Sequence, residues 1–146
     1  LEKSVGWNLM DADAMYKLGL AYSAVGRYED AVNILAQAAS FVPNYSEVYL
    51  AMAEAYDSGN LPILGDYARG MAAYSQKDYP VSLELLKKAA LVYPKYAPIF
   101  AGLGLTYEAM NDLQNARDSF EISLTIDSNN YTAARGVERV KALINK

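Results

Sequence analysis

One stretch of the chain is a near copy of another. Leu18-Gly19-Leu20-Ala21-Tyr22 aligns with Leu103-Gly104-Leu105-Thr106-Tyr107, 85 residues further on. Nine residues after each tyrosine stands an alanine, Ala31 and Ala116, and four later a large apolar residue, Leu35 and Phe120. Ala38 or Ser123 follows, then Pro43 or Ser128. A chain that repeats itself builds units whose apolar faces are buried only by stacking on neighbours. The apolar spacing is helical, as in Leu83, Leu86 and Ala90 around Lys87 and Lys88, and no stretch sustains strand alternation. The spacing predicts an all-α fold.

The pattern W-x2-L-G-x2-Y…A-x3-F…P resembles the tetratricopeptide repeat (TPR), with its period of about 34 residues. Residues 12–45 carry Leu18, Gly19, Tyr22, Gly26, Tyr28, Ala31, Leu35, Ala38 and Pro43, with Met15 at the tryptophan position. Residues 97–130 carry Leu103, Gly104, Tyr107, Ala116 and Phe120, and depart at Ser128. Residues 63–96 match through Gly70, Tyr79, Leu86, Ala89 and Pro94, with Ala73 in place of the first-helix tyrosine. The resemblance implies a right-handed α-solenoid of antiparallel helix pairs. Small residues at 19, 31, 70, 104 and 116 let helices approach closely. Gly26 suits a turn, and Pro43 and Pro94 stop second helices.

The period fails in the middle. Repeats starting at 12 and 63 are 51 residues apart, one and a half periods of about 34. Residues 46–62 are therefore expected to be a half repeat: a helix over 46–58, then a turn at Asp57–Pro62 and another helix from about 63 to 75. That second helix either serves as a shortened partner or marks an exchange of inner and outer layers. Residues 1–11 read as the tail of a preceding repeat, with Leu1 and Ser4 at its large and small positions, an expectation of a fragment of a longer protein. Residues 131–146 read as a capping helix, with Ala134, Val137, Val140 and Ile144 on one side and Arg135, Glu138, Arg139, Lys141 and Lys146 on the other.

Composition removes most chemistry. The chain has no Cys and no His, which excludes thiol nucleophiles, histidine bases and zinc fingers. No phosphate-binding loop or calcium loop occurs, and no run approaches a membrane span. Asn44-Tyr45-Ser46 and Asn130-Tyr131-Thr132 fit glycosylation sequons but sit where turns are expected. A formal charge of −4 argues against nucleic acid as a partner. Residues 1–66 hold nine acids and three bases, and residues 67–146 eight acids and ten bases. No catalytic residue, cofactor or metal is expected.

The resemblance places first helices on a concave side. The groove positions are then Tyr16 and Leu20; Glu47, Leu50, Glu54 and Asp57; Tyr67, Met71 and Tyr74; and Leu105 and Glu108. Asp13, Ser23, Leu64, Pro98 and Ala101 fall in the same register, and Thr132, Arg135 and Arg139 extend it on the last helix. Such a groove is aromatic and acidic. TPR domains that hold a chaperone's C-terminal carboxylate do so with Lys, Asn and Arg, whereas Tyr16, Leu20, Ala51, Leu64 and Ala68 stand here. The function expected is a non-catalytic scaffold binding a protein or peptide partner through an apolar or basic segment. The alternatives are self-association through exposed solenoid ends, where Val5 and Trp7 would contribute, and service as the accessory arm of a larger enzyme.

Overall fold

The computed structural model describes residues 2–41, 46–60 and 62–145, and the side chains of 11–39, 46–60 and 64–145. The expectations for Leu1, Pro43 and the Asn44 loop lie outside the described residues, as do those for the side chains of Ser4, Val5 and Trp7. Eight helices and no strand occur among the described residues: α1 (Glu2–Ala24), α2 (Tyr28–Phe41), α3 (Ser46–Ser58), α4 (Pro62–Ser75), α5 (Tyr79–Val92), α6 (Ala97–Ala109), α7 (Leu113–Ile126) and α8 (Tyr131–Ile144). The fold is all-α, built of packed helices joined by short turns. None of the helices is long and apolar enough to cross a membrane, among the described residues.

Helix ends follow local chemistry. Asp112 caps α7 through the Asn115 amide, and Asn130 caps α8 through the Ala133 amide at 2.9 Å. Pro80 and Pro98 sit in the first turns of α5 and α6, where a missing N–H costs nothing. Residues 7–18 hold neither glycine nor proline, and α1 runs unbroken from Glu2 to Ala24. The boundary expected between residues 11 and 12 therefore falls inside one helix.

Four turns share one device. Gly26, Asn60, Lys77 and Asn111 all have positive φ, between 61° and 81°. They follow α1, α3, α4 and α6 and reverse the chain into the next helix. Their spacing is 34, 17 and 34 residues, so the half period lies between Asn60 and Lys77. Helix α4 is thus preceded and followed by the same turn. It packs against α3 and, at 14 residues, is as long as α2 and α5.

The chain divides into two compact units, Leu1–Lys77 and Asp78–Lys146. In unit 1, α1 packs on α2, α2 on α3 and α3 on α4, with Leu35, Val48 and Met52 fully buried. In unit 2, α5 packs on α6, α6 on α7 and α7 on α8, which also reaches α6. Phe120 of α7 is the centre of this core, with Ala116, Ala133, Val137 and Val140 around it. Its ring lies between two glycines. A Cβ on Gly104 of α6 would collide with one edge, and a Cβ on Gly136 of α8 would come within 2.5 Å of the other. Three buried hydroxyls of unit 2 are paired where α5, α6 and α7 meet: Ser82 with Thr106 at 3.0 Å, Thr106 with the Gly102 carbonyl, and Ser123 with the Ala97 carbonyl.

Candidate interaction cleft

The C-terminal half of α1 meets that of α3 at an open cleft of about 280 Å³. It is lined by Leu20, Ser23 and Ala24 of α1, Tyr28 of α2, and Ala51, Glu54, Ala55 and Ser58 of α3. Leu20 is 41% exposed despite its apolar chain, and Glu54 is exposed. Leu20, Ser23 and Glu54 come from separate helices' groove registers and meet here. Leu50, 47% exposed, and Glu47 stand one and two turns earlier on α3. Among the described residues neither Glu47 nor Glu54 has an ion-pair partner.

The other two expected acids are already occupied. Asp57 accepts from Arg69 at 2.7 Å, and Arg69 also donates to the buried Asp66 at 2.7 Å. The pull of both carboxylates raises the Arg69 pKa further, the Asp66 hydrogen bond most of all, with burial opposing. Gly65 makes room for this contact, since a Cβ there would strike the Asp57 carboxylate. Glu108 is held by Arg139 through two parallel bonds, Nε to Oε2 at 2.9 Å and Nη2 to Oε1 at 2.7 Å. Arg135 instead lies over the Tyr131 ring and donates to its hydroxyl at 2.9 Å.

The expected aromatic and apolar anchors divide in the same way. Tyr67 and Met71 are 8% and 4% exposed, so they offer a partner almost no surface. The repeat register gave them an outward face, but α4 is buried around most of its girth, from Gly65 to Ala68 and from Gly70 to Ala73. Leu105 packs against the Phe120 core. Tyr16 and Tyr74 are half-buried. Tyr74 raises the pKa of Tyr49, which burial has already pushed up, to about 12. No group of three or more metal-ligating side chains occurs among the described residues.

This helical architecture has known relatives. The sequence profile of the tetratricopeptide repeat matches residues 13–45 and again residues 97–130. The type IV pilus assembly protein PilF of Pseudomonas aeruginosa PAO1 is 28% identical over 141 residues, across 84% of this chain and 56% of that protein. The chain thus spans little more than half of that relative's length. The solved structure of Pseudomonas aeruginosa PilF is similar at a TM-score of 0.56, with 23% identity, over 94% of this chain and 71% of that one. MamA of AMB-1 is similar at 0.56, with 20% identity, over 93% and 84%. The first TPR of Spaghetti (RPAP3), bound to the HSP90 peptide SRMEEVD, is similar at 0.50, with 17% identity, over 94% and 95%. At these identities the structures speak for the fold alone. Two tetratricopeptide repeats are thus matched in the chain, and its fold is that of TPR proteins. TPR domains are in general protein–protein interaction modules and non-enzymatic scaffolds, some of which bind peptides.

Proposed function

We propose that this chain is a non-catalytic scaffold that receives a segment of a partner protein on the α1–α3 face of unit 1. The observation that carries this reading is the cleft itself. It joins an exposed leucine to an unpaired carboxylate on the face where the repeat register puts its groove. Leu20 and Leu50 are the apolar anchors, flanked by Tyr16, and Glu47 and Glu54 meet basic residues of the partner. Tyr67, Met71 and Leu105 serve the core instead, and Asp57 and Glu108 hold the protein's own arginines. The chemistry favours a basic partner segment over a terminal carboxylate like that of the HSP90 peptide, because among the described residues no lysine or arginine lines the cleft. The likeness to PilF suggests that the scaffolding serves an assembly process.

Site-specific photo-crosslinking tests this. A benzoylphenylalanine placed at Leu20 or Leu50 is expected to trap one discrete partner in the native cell extract. The same group at Asn33, exposed on α2, is expected to trap none. Equal trapping from all three positions, or trapping only from Asn33, would sink the reading.

A further inference from the structure

The two units let one cleft be read against its own repeat. The 85-residue interval that aligns Leu18 with Leu103 also aligns Leu20 with Leu105, Ser23 with Glu108, and Glu54 with Arg139. In unit 2 the last two positions face each other across the α6–α8 seam, and the arginine lies bidentate on the carboxylate. In unit 1 the same two positions carry a serine hydroxyl and a carboxylate. Among the described residues no cation spans the α1–α3 seam, and an open cleft of about 280 Å³ stands there. The nearest cation in sequence, Arg27, is held by Asp30 at 2.6 Å.

We infer that this cleft takes an arginine side chain of the partner, its guanidinium on the Glu54 carboxylate with the Ser23 hydroxyl as a further acceptor. The inference rests on the groove reading above and gives its partner a chemical signature. Three physical arguments support it. A planar guanidinium matches a carboxylate with two parallel hydrogen bonds, the geometry this fold already makes between Arg139 and Glu108. The methylene stem of an arginine packs on apolar walls, and Leu20, Ala51 and Ala55 provide them. The long-range field agrees as well. Unit 1 holds nine acids against five bases, net −4, whereas unit 2 holds eight of each and is neutral. A cationic segment is therefore drawn to unit 1.

A random dodecapeptide library panned in parallel on three proteins tests it: the wild-type chain, Glu54→Gln, and Ser23→Glu/Glu54→Arg, which installs the unit 2 pair in unit 1. Circular dichroism first checks that all three are equally helical. Peptides enriched on the wild type are expected to share an arginine at a fixed position, and to compete with photo-crosslinking from Leu20. Their affinity is expected to fall about tenfold on Glu54→Gln, and at least as far on the double variant, as the loss of one charge-assisted contact implies. Replacing that arginine by citrulline should reproduce the loss. Enriched peptides that compete at Leu20 without a fixed arginine, or that bind Glu54→Gln equally well, overturn the arginine assignment and leave the groove reading standing. A library that yields no peptide competing at Leu20 overturns the assignment, and if the native extract also gives no crosslink there, both readings fall.

Discussion

Leu35 in unit 1 and Phe120 in unit 2 stand at the same repeat position, and each fills the space that a first-helix glycine leaves. A Cβ on Gly19 would come within 2.6 Å of Leu35, as one on Gly104 would strike Phe120. The difference lies one helix further on. Where α8 has Gly136, with the Phe120 ring against it, the same register in α3 has Ala51. A leucine is short enough to leave room for that methyl, and a phenyl ring is not. Enlarging one side chain in a repeat thus demands a smaller residue in the following repeat, because neighbouring repeats share a core. The polar seams diverge in parallel. In unit 2 an arginine closes the seam, and in unit 1 the same positions leave it open.

The strongest break in this comparison is Gly136→Ala. The ring has no free space to yield into, since Gly104 grips its other edge, so overpacking is expected to cost about 3 kcal/mol. Hydrogen exchange should show the loss in α6–α8 and not in α1–α4. Adding Phe120→Leu converts the site to the unit 1 arrangement and should recover at least about 1 kcal/mol of that loss in a double-mutant cycle. If the double variant is as unstable as the two single costs added together, the shared-core account fails.

A second difference is electrostatic and belongs to unit 1. The Tyr49 pKa of about 12 lies above the ordinary 10.0, mainly through burial and then through Tyr74. The folded state therefore holds this proton more tightly than the unfolded state. The contribution is fully present below pH 10 and is lost as pH rises towards 12, amounting to about 2 kcal/mol at the upper end. Comparing denaturant melts of wild type and Tyr49→Phe from pH 9 to 12 isolates it from the other tyrosines. Curves that stay parallel across this range would refute the assignment.

Much of the fold was legible because the repeat signals are short-range. Small residues at 19 and 104 with large ones at 35 and 120 announce helix pairs, and the half period announces an odd helix between Asn60 and Lys77. The turn at Asn60 was legible within Asp57–Pro62, whereas those at Lys77 and Asn111 were less visible, because neither carries glycine. Their signal was register alone, the same offset into each unit. The candidate site was read less well. Position in a repeat nominated Leu20, Glu47, Leu50 and Glu54, which the structure leaves exposed. It also nominated Tyr67 and Met71, which are buried. Whether an acid is free depends on which distant arginine reaches it. Asp57 and Glu108 are reached from residues 12 and 31 positions away, and no local pattern encodes that.

Arg69 and Arg139 themselves offer the next contrast, as each ties two helices within one unit. Arg69 serves two carboxylates, one of them the buried Asp66 with only 11% of its side chain exposed. Removing it by Arg69→Ala takes a charge-assisted hydrogen bond from that mostly buried carboxylate, at a cost of about 1–2 kcal/mol. The Asp66→Asn/Arg69→Ala pair should recover much of that loss. A double variant no more stable than Arg69→Ala would show that the cost came from lost packing of the arginine stem instead.

The smallest effect is expected at the seam of unit 2. Glu108 and Arg139 make two good hydrogen bonds, but their side chains are 19% and 46% exposed, so water and salt compete for both. Arg139→Ala is therefore expected to cost less than about 1 kcal/mol, and the difference from wild type should shrink between low and high ionic strength. What Arg139→Ala removes in stability it should return in surface, because Glu108 then lacks a cation, as Glu54 does in unit 1. Cationic peptides that bind the wild type only through Leu20 and Glu54 are expected to gain a second, weaker site, visible as a stoichiometry rising from one towards two in calorimetric titration. A stoichiometry that stays at one would mean that an open carboxylate in this register does not by itself recruit a cation, and that the apolar walls of the unit 1 cleft, Leu20 and Ala51 among them, contribute more to recognition than its charge.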